Sequence, residues 1–297
     1  MPMQHYPTVF ECTEMTAAVN KLPARPFFFK PLFEVKGVKT TTVSLDIRKG
    51  RIVLIGDSER NTAPESLAGR GARREWKHLS CAHLAQSDTL APEDLQDVRA
   101  FGSTEPISVA AVYNDKMQQL KDNLAATMEF HRLGAIKGVV LDADGSTVLH
   151  DIFNTFGATK KTLDISFPQT AADDANPILT SILKAKRHVE AAMGGTPFDH
   201  IECIIGSDAY DMLTSHKLVR EYFERWLSNR ENFGANDYRK RGFPYGGLTF
   251  VERSDVVGGQ TMVAAKKGHV YPVGPGIFKQ FHAPADWMET VNTIGLE

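Results

Sequence analysis

Apolar residues recur at helical spacing over one long stretch in the middle of the chain. The apolar positions lie three or four residues apart: Val109, Tyr113, Met117, Leu120, Leu124 and Met128. This period predicts an amphipathic helix over residues 106–133, with Pro106 suited to the first turn and Gly134 expected to end it. At about 1.5 Å per residue, such a helix is roughly 40 Å long and can cross an entire domain.

Residues before this helix alternate as a strand does. Val43, Leu45 and Ile47 are separated by polar residues, and Lys49-Gly50 is expected to turn the chain into a second strand at Ile52–Ile55. Residues 58–101 are predicted to be an irregular connection. A long hairpin followed by such a connection fits poorly inside a compact core, so we expect it to project from the protein.

After the long helix, the spacing of apolar residues alternates between the period of two that is typical of strands and the period of 3.6 that is typical of helices. The pattern predicts strands over 139–141, 148–152 and 162–167, then a helix over 178–193 that Gly194 ends. A buried strand over 201–205, helices over 207–213 and 218–227, and strands over 248–252 and 261–265 are expected to follow. Short elements in this mixed order indicate an α+β domain.

The first 34 residues combine helix-breaking prolines with large apolar side chains. Five prolines interrupt any helix there, and five apolar residues need cover: Phe27, Phe28, Phe29, Leu32 and Phe33. An arm that cannot fold on itself must bury such residues against another surface. We therefore predict that they contact another subunit.

Composition and charge exclude several classes of protein. The chain has 297 residues, and 34 Lys plus Arg against 36 Asp plus Glu give a net charge of −2, too little positive charge for a general nucleic-acid binder. Three cysteines far apart in sequence are predicted to be thiols in a reducing compartment. No cleavable signal is recognised and no stretch approaches the ~20 apolar residues of a membrane span, so we expect neither secretion nor a membrane.

The sequence Asp142-Ala143-Asp144-Gly145 is the first candidate for chemistry. Paired carboxylates before a glycine occur in calcium loops, but position twelve of such a loop would be Phe153 rather than glutamate. An aspartate for phosphoryl transfer is expected between a buried strand and a helix, whereas strand-forming residues flank this site. Asp-Gly is also a strong hairpin signal, so Asp142, Asp144 and Gly145 are predicted to form a hairpin turn.

One further group of residues is a candidate for chemistry. His78, Cys81 and His83 have ligand-like spacing, but a structural zinc needs four ligands and no second pair accompanies them. A metal-dependent hydrolase that uses these residues, or Asp142 and Asp144, stays an open alternative, although nucleotide and esterase motifs are absent from the sequence. We predict no metal, no cofactor and no enzymatic activity.

Charged residues elsewhere are interpreted as surface or interface groups. Arg70, Arg73 and Arg74 are predicted to lie on the projecting connection, where a contact with nucleic acid is the alternative to the favoured interpretation of a solvated loop or salt bridges to a neighbouring subunit. Asp286 and Glu289 are flanked by Trp287, Met288 and Val291. That pattern indicates packing rather than acid–base chemistry.

Three sequence segments resemble the major capsid protein of tailed bacteriophages, in particular the lambda-type capsid protein E family. They are Val98–Gly102 (VRAFG), Met128–Gly157 (MEFHRLGAIKGVVLDADGSTVLHDIFNTFG) and His282–Gly295 (HAPADWMETVNTIG), of which the last is the most specific. The resemblance covers the chain from about Val38 to its end. Family members usually continue beyond the region that matches Asn292–Gly295 with a segment returning to the peripheral sheet, whereas the sequence given ends at Glu297.

The resemblance implies the Hong Kong 97-type capsid fold. Its parts would be an N-terminal arm at 1–34, an extended β-hairpin loop at 35–90, a peripheral domain at 91–170 and 276–297 with a spine helix at 106–133, and an axial domain at 171–275. Asp142–Gly145 would then be a hairpin tip in the peripheral sheet.

The resemblance also implies a function without a catalytic site. The protein would be the head protein of a tailed bacteriophage or prophage, assembled in the bacterial cytoplasm into hexamers and pentamers of an icosahedral shell around double-stranded DNA. Implied partners are scaffolding, portal and decoration proteins, with the DNA contacted non-specifically. The alternative is an encapsulin-like nanocompartment subunit of the same fold that encloses a cargo protein.

Overall fold

A computed structural model of the chain describes residues 28–48, 74–96, 108–167, 176–228, 239 and 242–295. The chain divides into two compact units, one of residues 1–30 and 82–131 and one of residues 31–81 and 132–297. The described helices are α1 (Val109–Lys137), α2 (Ile152–Phe156), α3 (Pro177–Met193), α4 (Ser207–Ser215) and α5 (Lys217–Ser228). None of them combines the length and the apolar character that crossing a membrane requires.

Strands in the described residues form one sheet of four strands and four pairs. The strands are β1 (Phe33–Gly37), β2 (Thr42–Arg48), β3 (Arg74–Ser80), β4 (Val139–Leu141), β5 (Val148–Asp151), β6 (His200–Ile205), β7 (Phe243–Tyr245), β8 (Leu248–Glu252), β9 (Val256–Val257), β10 (Gln260–Thr261), β11 (Gly268–Val273) and β12 (Phe278–His282). The pairs are β1–β12, β2–β3, β4–β5 and β9–β10. Only β1–β12 among these pairs is parallel. The mixture of helices and antiparallel and parallel strands is an α+β fold, as expected.

The second unit has its core around the four-stranded sheet, whose order is β11-β6-β8-β7. Strands β6 and β8 are parallel, and α4 and α5 lie in the connection between them. The core is apolar and includes residues of α3, α4, α5 and the sheet, among them Ile178, Ile182, Tyr210, Leu213, Val219, Phe243 and Phe250. Apolar and polar residues alternate little in strands β6 and β8, because the sheet is covered. The consecutive residues Ile204 and Ile205 are both buried, and so are Phe250 and Val251.

Helix α3 follows from local sequence signals, and its prediction is confirmed. The Asn176 side chain accepts a hydrogen bond from the Leu179 amide at 3.0 Å, and Pro177 occupies the first turn. Gly194 ends the helix in the left-handed conformation at φ 56°. The predictions for β4, β5, β6, α5 and β8 are also confirmed within a few residues.

Helix α1 continues beyond the predicted end at Gly134, so that boundary was wrong. The helix ends at Lys137, before Gly138 at φ 88°. A Cβ at Gly134 would lie 2.9 Å from the carbonyl oxygen of Val139. Gly134 therefore allows a close approach of backbone instead of breaking the helix. The predicted start at Thr104–Pro106 lies outside the described residues.

Strand β3 occupies part of the segment that was predicted to be irregular, so the prediction for residues 74–80 was wrong. It pairs antiparallel with β2 over seven residues, from Thr42 opposite Ser80 to Arg48 opposite Arg74. Charged residues in the β3 sequence REWKHLS hid its strand character, which the long-range pairing with β2 supplies. The predicted turn at Lys49-Gly50 and return strand at Ile52–Ile55 lie outside the described residues.

Two other strand predictions failed for related reasons. Residues 162–167 form no strand, because no described segment pairs with them, and Ile165 and Phe167 instead pack against the core. Of residues 261–265 only Thr261 is in a strand, since Met262 and Val263 are buried in a turn. The sequence analysis also missed β1, β11 and β12, whose partners are distant in the chain.

The first unit is held together by polar contacts onto α1. The buried Glu129 carboxylate accepts a hydrogen bond from the Phe29 amide at 2.7 Å. Lys116 donates to the Thr89 carbonyl at 2.8 Å and lies 3.2 Å from the Asp88 carboxylate. The two contacts of Lys116 fix the extended residues around 88–89 on the helix.

Candidate assembly surfaces

The apolar residues predicted for intersubunit contact differ in how far their own subunit covers them. Phe29 is fully buried in the first unit, where its ring meets that of Phe28 edge to face at 5.0 Å. Phe33 opens β1 in the second unit and packs on Phe278 of β12 with ring centroids 5.2 Å apart. Phe28 and Leu32 are only partly covered, and Phe27 lies outside the described residues. Contact of this group with another subunit stays a prediction.

The four strand pairs have no further strand beside them among the described residues. Beyond Phe33, every residue of β1 is exposed, and β12 is its one described partner. Isolated two-stranded sheets are marginally stable in water, and an open edge presents unpaired amides and carbonyls. Such pairs are suited to receive a strand or a covering surface from another molecule.

Of the metal-ligand candidates, His78 lies in β3, while Cys81 and His83 follow that strand. The His78 ring nitrogen Nδ1 lies 2.9 Å from the Ser44 hydroxyl, and the Cys81 amide donates to the Thr41 carbonyl at 2.8 Å. Within the described ranges, no three His, Cys, Asp or Glu side chains are grouped so as to hold a metal ion. His78, Cys81 and His83 therefore form no recognisable metal centre.

The arginines of the predicted contact loop are described only in part. Arg74 begins β3, while Arg70 and Arg73 lie outside the described residues. Their contact with a neighbouring subunit stays a prediction. Trp76, two residues into the strand beyond Arg74, is one of the exposed aromatic side chains of the second unit.

The structure places Asp142, Asp144 and Gly145 in the turn between β4 and β5. The Asp142 amide donates to the Thr147 carbonyl, and the Gly145 amide donates to the Asp142 carbonyl, both at 2.9 Å. The Asp144 carboxylate accepts four hydrogen bonds from the amides and hydroxyls of Ser146 and Thr147, at 2.6 to 2.9 Å. These bonds, led by the Thr147 hydroxyl, lower the pKa of Asp144 well below its usual range.

The same turn contacts a distant segment of the second unit. The Gln260 side-chain amide donates to the Asp144 carbonyl at 3.2 Å and occupies the space that a Cβ at Gly145 would need. Gly145 has a φ of 71°, which favours glycine. The carboxylate of Asp144 is thus engaged in hydrogen bonds within its own turn.

The segment after β12 exposes several large apolar side chains. Trp287 is 62% exposed, Met288 92%, Val291 59% and Ile294 56%. The described residues therefore do not provide the packing predicted for Trp287, Met288 and Val291. Three large apolar residues in five positions were the available signal, but the sequence does not say whether their cover comes from the same chain.

This exposed segment is nevertheless anchored. The Gly295 amide donates to the Val38 carbonyl at 3.0 Å, and Thr290 and Thr293 close successive turns with their hydroxyls. A Cβ at Gly37 would lie 2.3 Å from the Gly295 carbonyl oxygen, so the segment lies directly on β1. The chain fixes the backbone of this segment while it leaves the apolar side chains in water.

Fixed backbone with exposed apolar side chains and open strand edges is typical of a structural protein whose copies associate. Comparison with known proteins identifies the family. The model of the family described as phage major capsid protein E matches residues 11–297. The chain belongs to this family.

Two curated relatives are similar over nearly the whole chain. The major capsid protein of Pseudomonas phage KPP10 is 27% identical, and the match covers 97% of this chain and 86% of the relative. The major capsid protein of Salmonella phage Felix O1 is 22% identical with the same coverage. Among solved structures, the asymmetric unit of the bacteriophage PhiM1 mature capsid matches with a TM-score of 0.42 and 14% identity, over 89% of this chain and 77% of that one.

Proposed function

We propose that copies of this chain assemble into the icosahedral head shell of a tailed bacteriophage or prophage and enclose its packaged double-stranded DNA. The observation that carries the proposal is the match of the phage major capsid protein E family over residues 11–297. The open strand pairs and the exposed segment after β12 support it, because both leave surface that association would cover and that the described residues do not.

The Hong Kong 97-type arrangement belongs to this proposal. The β2–β3 pair supports an extended loop at 35–90, and the 29-residue helix α1 supports a spine helix within a peripheral domain at 91–170 and 276–297. The four-stranded sheet with α3, α4 and α5 supports an axial domain at 171–275. Residues 1–34 are assigned to the N-terminal arm.

Assembly would depend on many weak contacts rather than on one strong one. A subunit held at several edges of a closed shell leaves slowly, whereas a misplaced subunit held at one edge still dissociates. The net charge of −2 fits a wall that contacts DNA non-specifically without trapping it. Scaffolding, portal and decoration proteins are the further partners that this function requires, with assembly in the host cytoplasm and the virion as final location.

We assign no enzymatic activity to the chain, since its family is one of structural capsid proteins. The encapsulin-like alternative is less favoured, because the family and both curated relatives are phage capsid proteins. The content of purified particles separates the two functions. Nuclease-protected double-stranded DNA in particles from phage-producing cells is expected, and particles filled with one cargo enzyme would contradict the proposal.

Assembly itself is tested by sedimentation velocity on the purified chain at low and high salt, with negative-stain imaging of the fast fraction. We expect closed shells of uniform diameter. A small monodisperse species at every concentration and salt, also after co-expression with candidate scaffolding proteins from the same phage, would contradict the proposal.

A further inference from the structure

Four basic groups of the second unit interact electrostatically around the end of α1 and the start of β11. They are Lys137, Lys160, Lys267 and His269, and together they are called the basic cluster here. The Lys137 ammonium group donates a hydrogen bond to the Met262 carbonyl, which holds the end of α1 against the turn that leads to β11. Lys267 immediately precedes β11, and His269 lies within that strand opposite Ile204.

The lysines of the basic cluster form no ion pair in the described part of the chain. None of the three lysines forms an ion pair with a described carboxylate, in contrast to Lys36, Lys116 and Lys186. Burial, followed by the charges of the three lysines, lowers the pKa of His269 to about 4. Burial and then the charge of Lys267 also lower the pKa of Lys137. The cluster thus holds positive charge that an incoming anion would stabilise.

The exposed segment after β12 has the complementary character. Residues 286–291, the acidic apolar segment, contain Asp286 and Glu289 between Trp287, Met288 and Val291. All five side chains are exposed, and neither acid has an ion-pair partner among the described residues. The segment is anchored through the Gly295 amide, so it presents acids and apolar groups on a fixed backbone.

We propose that the acidic apolar segment of one subunit docks on the basic cluster of a neighbouring copy. This inference rests on the proposed self-assembly and names one contact within it. Opposite charges favour the pairing, and the basic cluster has an apolar neighbour as well. Val256, in the hairpin that precedes Met262, is 62% exposed and offers a surface for the apolar side chains of the segment.

The charges also specify the symmetry of the contact. A two-fold contact of the segment with itself would bring Asp286 and Glu289 against their own copies, which is unfavourable. A contact between two different surfaces is head to tail, and such contacts close into rings when the rotation allows it. Hexamers and pentamers of a shell are rings of this kind.

A nucleic-acid phosphate is the competing occupant of the basic cluster. The geometry favours a protein carboxylate, because Lys137 is half-buried and already donates to a carbonyl, so that Lys160 and Lys267 are the exposed lysines of the cluster. Backbone-tracking sites on DNA need a longer stripe of exposed cations. The two occupants are distinguished by the experiment below.

Charge reversal tests the contact in wild-type chain and in the variants K267E, E289K and the double variant. We expect each single reversal to lower the yield of shells in sedimentation velocity by about tenfold or more at low salt, because it opposes like charges across the contact. The double reversal restores the opposite charges and is expected to recover most of the yield. High salt should reduce the defect of the single variants by screening.

Matched controls use exposed charges elsewhere in the second unit. K184E on α3 and D199K before β6 reverse charges that form no described ion pair, and both are expected to assemble as wild type does. Circular dichroism of each unassembled variant checks folding. If K267E does not fold, K160E makes the same test, since Lys160 is exposed and outside helices and strands.

The outcomes separate this inference from the proposed function. Wild-type chain that never forms shells, also after co-expression with candidate scaffolding proteins, contradicts the proposed function itself. If folded K267E and E289K form shells in the same yield as wild type, only the docking contact is overturned. A folded double variant whose shell yield is as low as that of the single variants overturns the contact as well. Normal shells of K267E that retain less DNA would assign the basic cluster to phosphate instead.

Discussion

Replacement of Phe243 by alanine is expected to destabilise the second unit strongly. Phe243 is 0% exposed in strand β7 and is surrounded by aromatic rings. Its ring centroid lies 5.0 Å from that of Phe223, 5.5 Å from Trp226, 5.8 Å from Tyr222 and 6.0 Å from Tyr245. The ring therefore joins helix α5 to the sheet.

The magnitude follows from burial and from the loss of several ring contacts at once. Truncation of a fully buried phenylalanine to alanine costs about 3 to 5 kcal/mol, and the upper half of that range is expected because the rigid rings around the site cannot fill the cavity. F243L keeps most of the volume and should cost less than about 1.5 kcal/mol. W287A removes an exposed ring and should stay within about 0.5 kcal/mol.

Urea unfolding of the unassembled subunit, followed by far-ultraviolet circular dichroism, measures these differences. The three variants should rank F243A, F243L and W287A in falling order of destabilisation. A loss of under about 1 kcal/mol for F243A, or equal losses for F243A and W287A, would refute the assignment of the core. The effects of the three variants on shell assembly are expected to rank in a different order from their effects on stability, because Trp287 belongs to the acidic apolar segment.

Three further predictions concern titratable groups. In D144A the amides of Ser146 and Thr147 should exchange hydrogen faster than in wild type at neutral pH, as measured by nuclear magnetic resonance. Because the pKa of Asp144 is lowered in the folded state, its carboxylate stabilises the turn at neutral pH, and this stabilisation is lost only as the pH falls below the ordinary value of 3.8. An equal difference in exchange rate between wild type and D144A at pH 7 and in strong acid would contradict the assignment. Burial raises the pKa of the Cys203 thiol to about 12. Iodoacetamide at pH 8 should therefore label this thiol only after denaturant is added, as detected by peptide mapping. Rapid labelling of Cys203 in the native chain would contradict its burial. The pKa of His269 is lowered from 6.5 to about 4, so its contribution to stability is fully present above pH 6.5 and falls as the pH drops towards 4. The pH dependence of the free energy of unfolding in urea should therefore flatten in H269Q. An imidazole of His269 that titrates near 6.5 in the native protein would disprove its burial.

The elements that the sequence predicted well carry their signals locally. Helix α3 has its cap at Asn176, its proline at the first turn and its terminal glycine within one short segment. The turn at Asp142–Gly145 likewise needs only residues adjacent in sequence, from Asp142 to Thr147. Such signals act through the backbone of neighbouring residues, so a single sequence suffices to read them.

The elements that escaped prediction depend on distant partners. Strand β3 has a charged sequence and becomes a strand because β2, some thirty residues earlier, pairs with it. Strand β1 pairs with β12 from the opposite end of the chain. Gly134 reads as a helix stop, but its role is the close approach of Val139, which only the folded chain reveals.

The assembly surfaces were only partly accessible to sequence reasoning. The apolar arm suggested intersubunit contact for all five of its large residues, yet Phe29 and Phe33 are covered by their own units. The apolar residues around Trp287 suggested packing, yet they are exposed. A hydrophobic pattern shows that a side chain needs cover, and only a structure shows whether the same molecule provides it.

The central claim is that many copies of this chain form a closed shell, and cryo-electron microscopy of the purified particles tests it most directly. We expect a reconstruction with icosahedral symmetry whose repeated subunit accommodates helix α1 and the four-stranded sheet of the second unit. Open filaments, small rings that never close, or a shell whose repeated subunit cannot accommodate these elements would contradict the account.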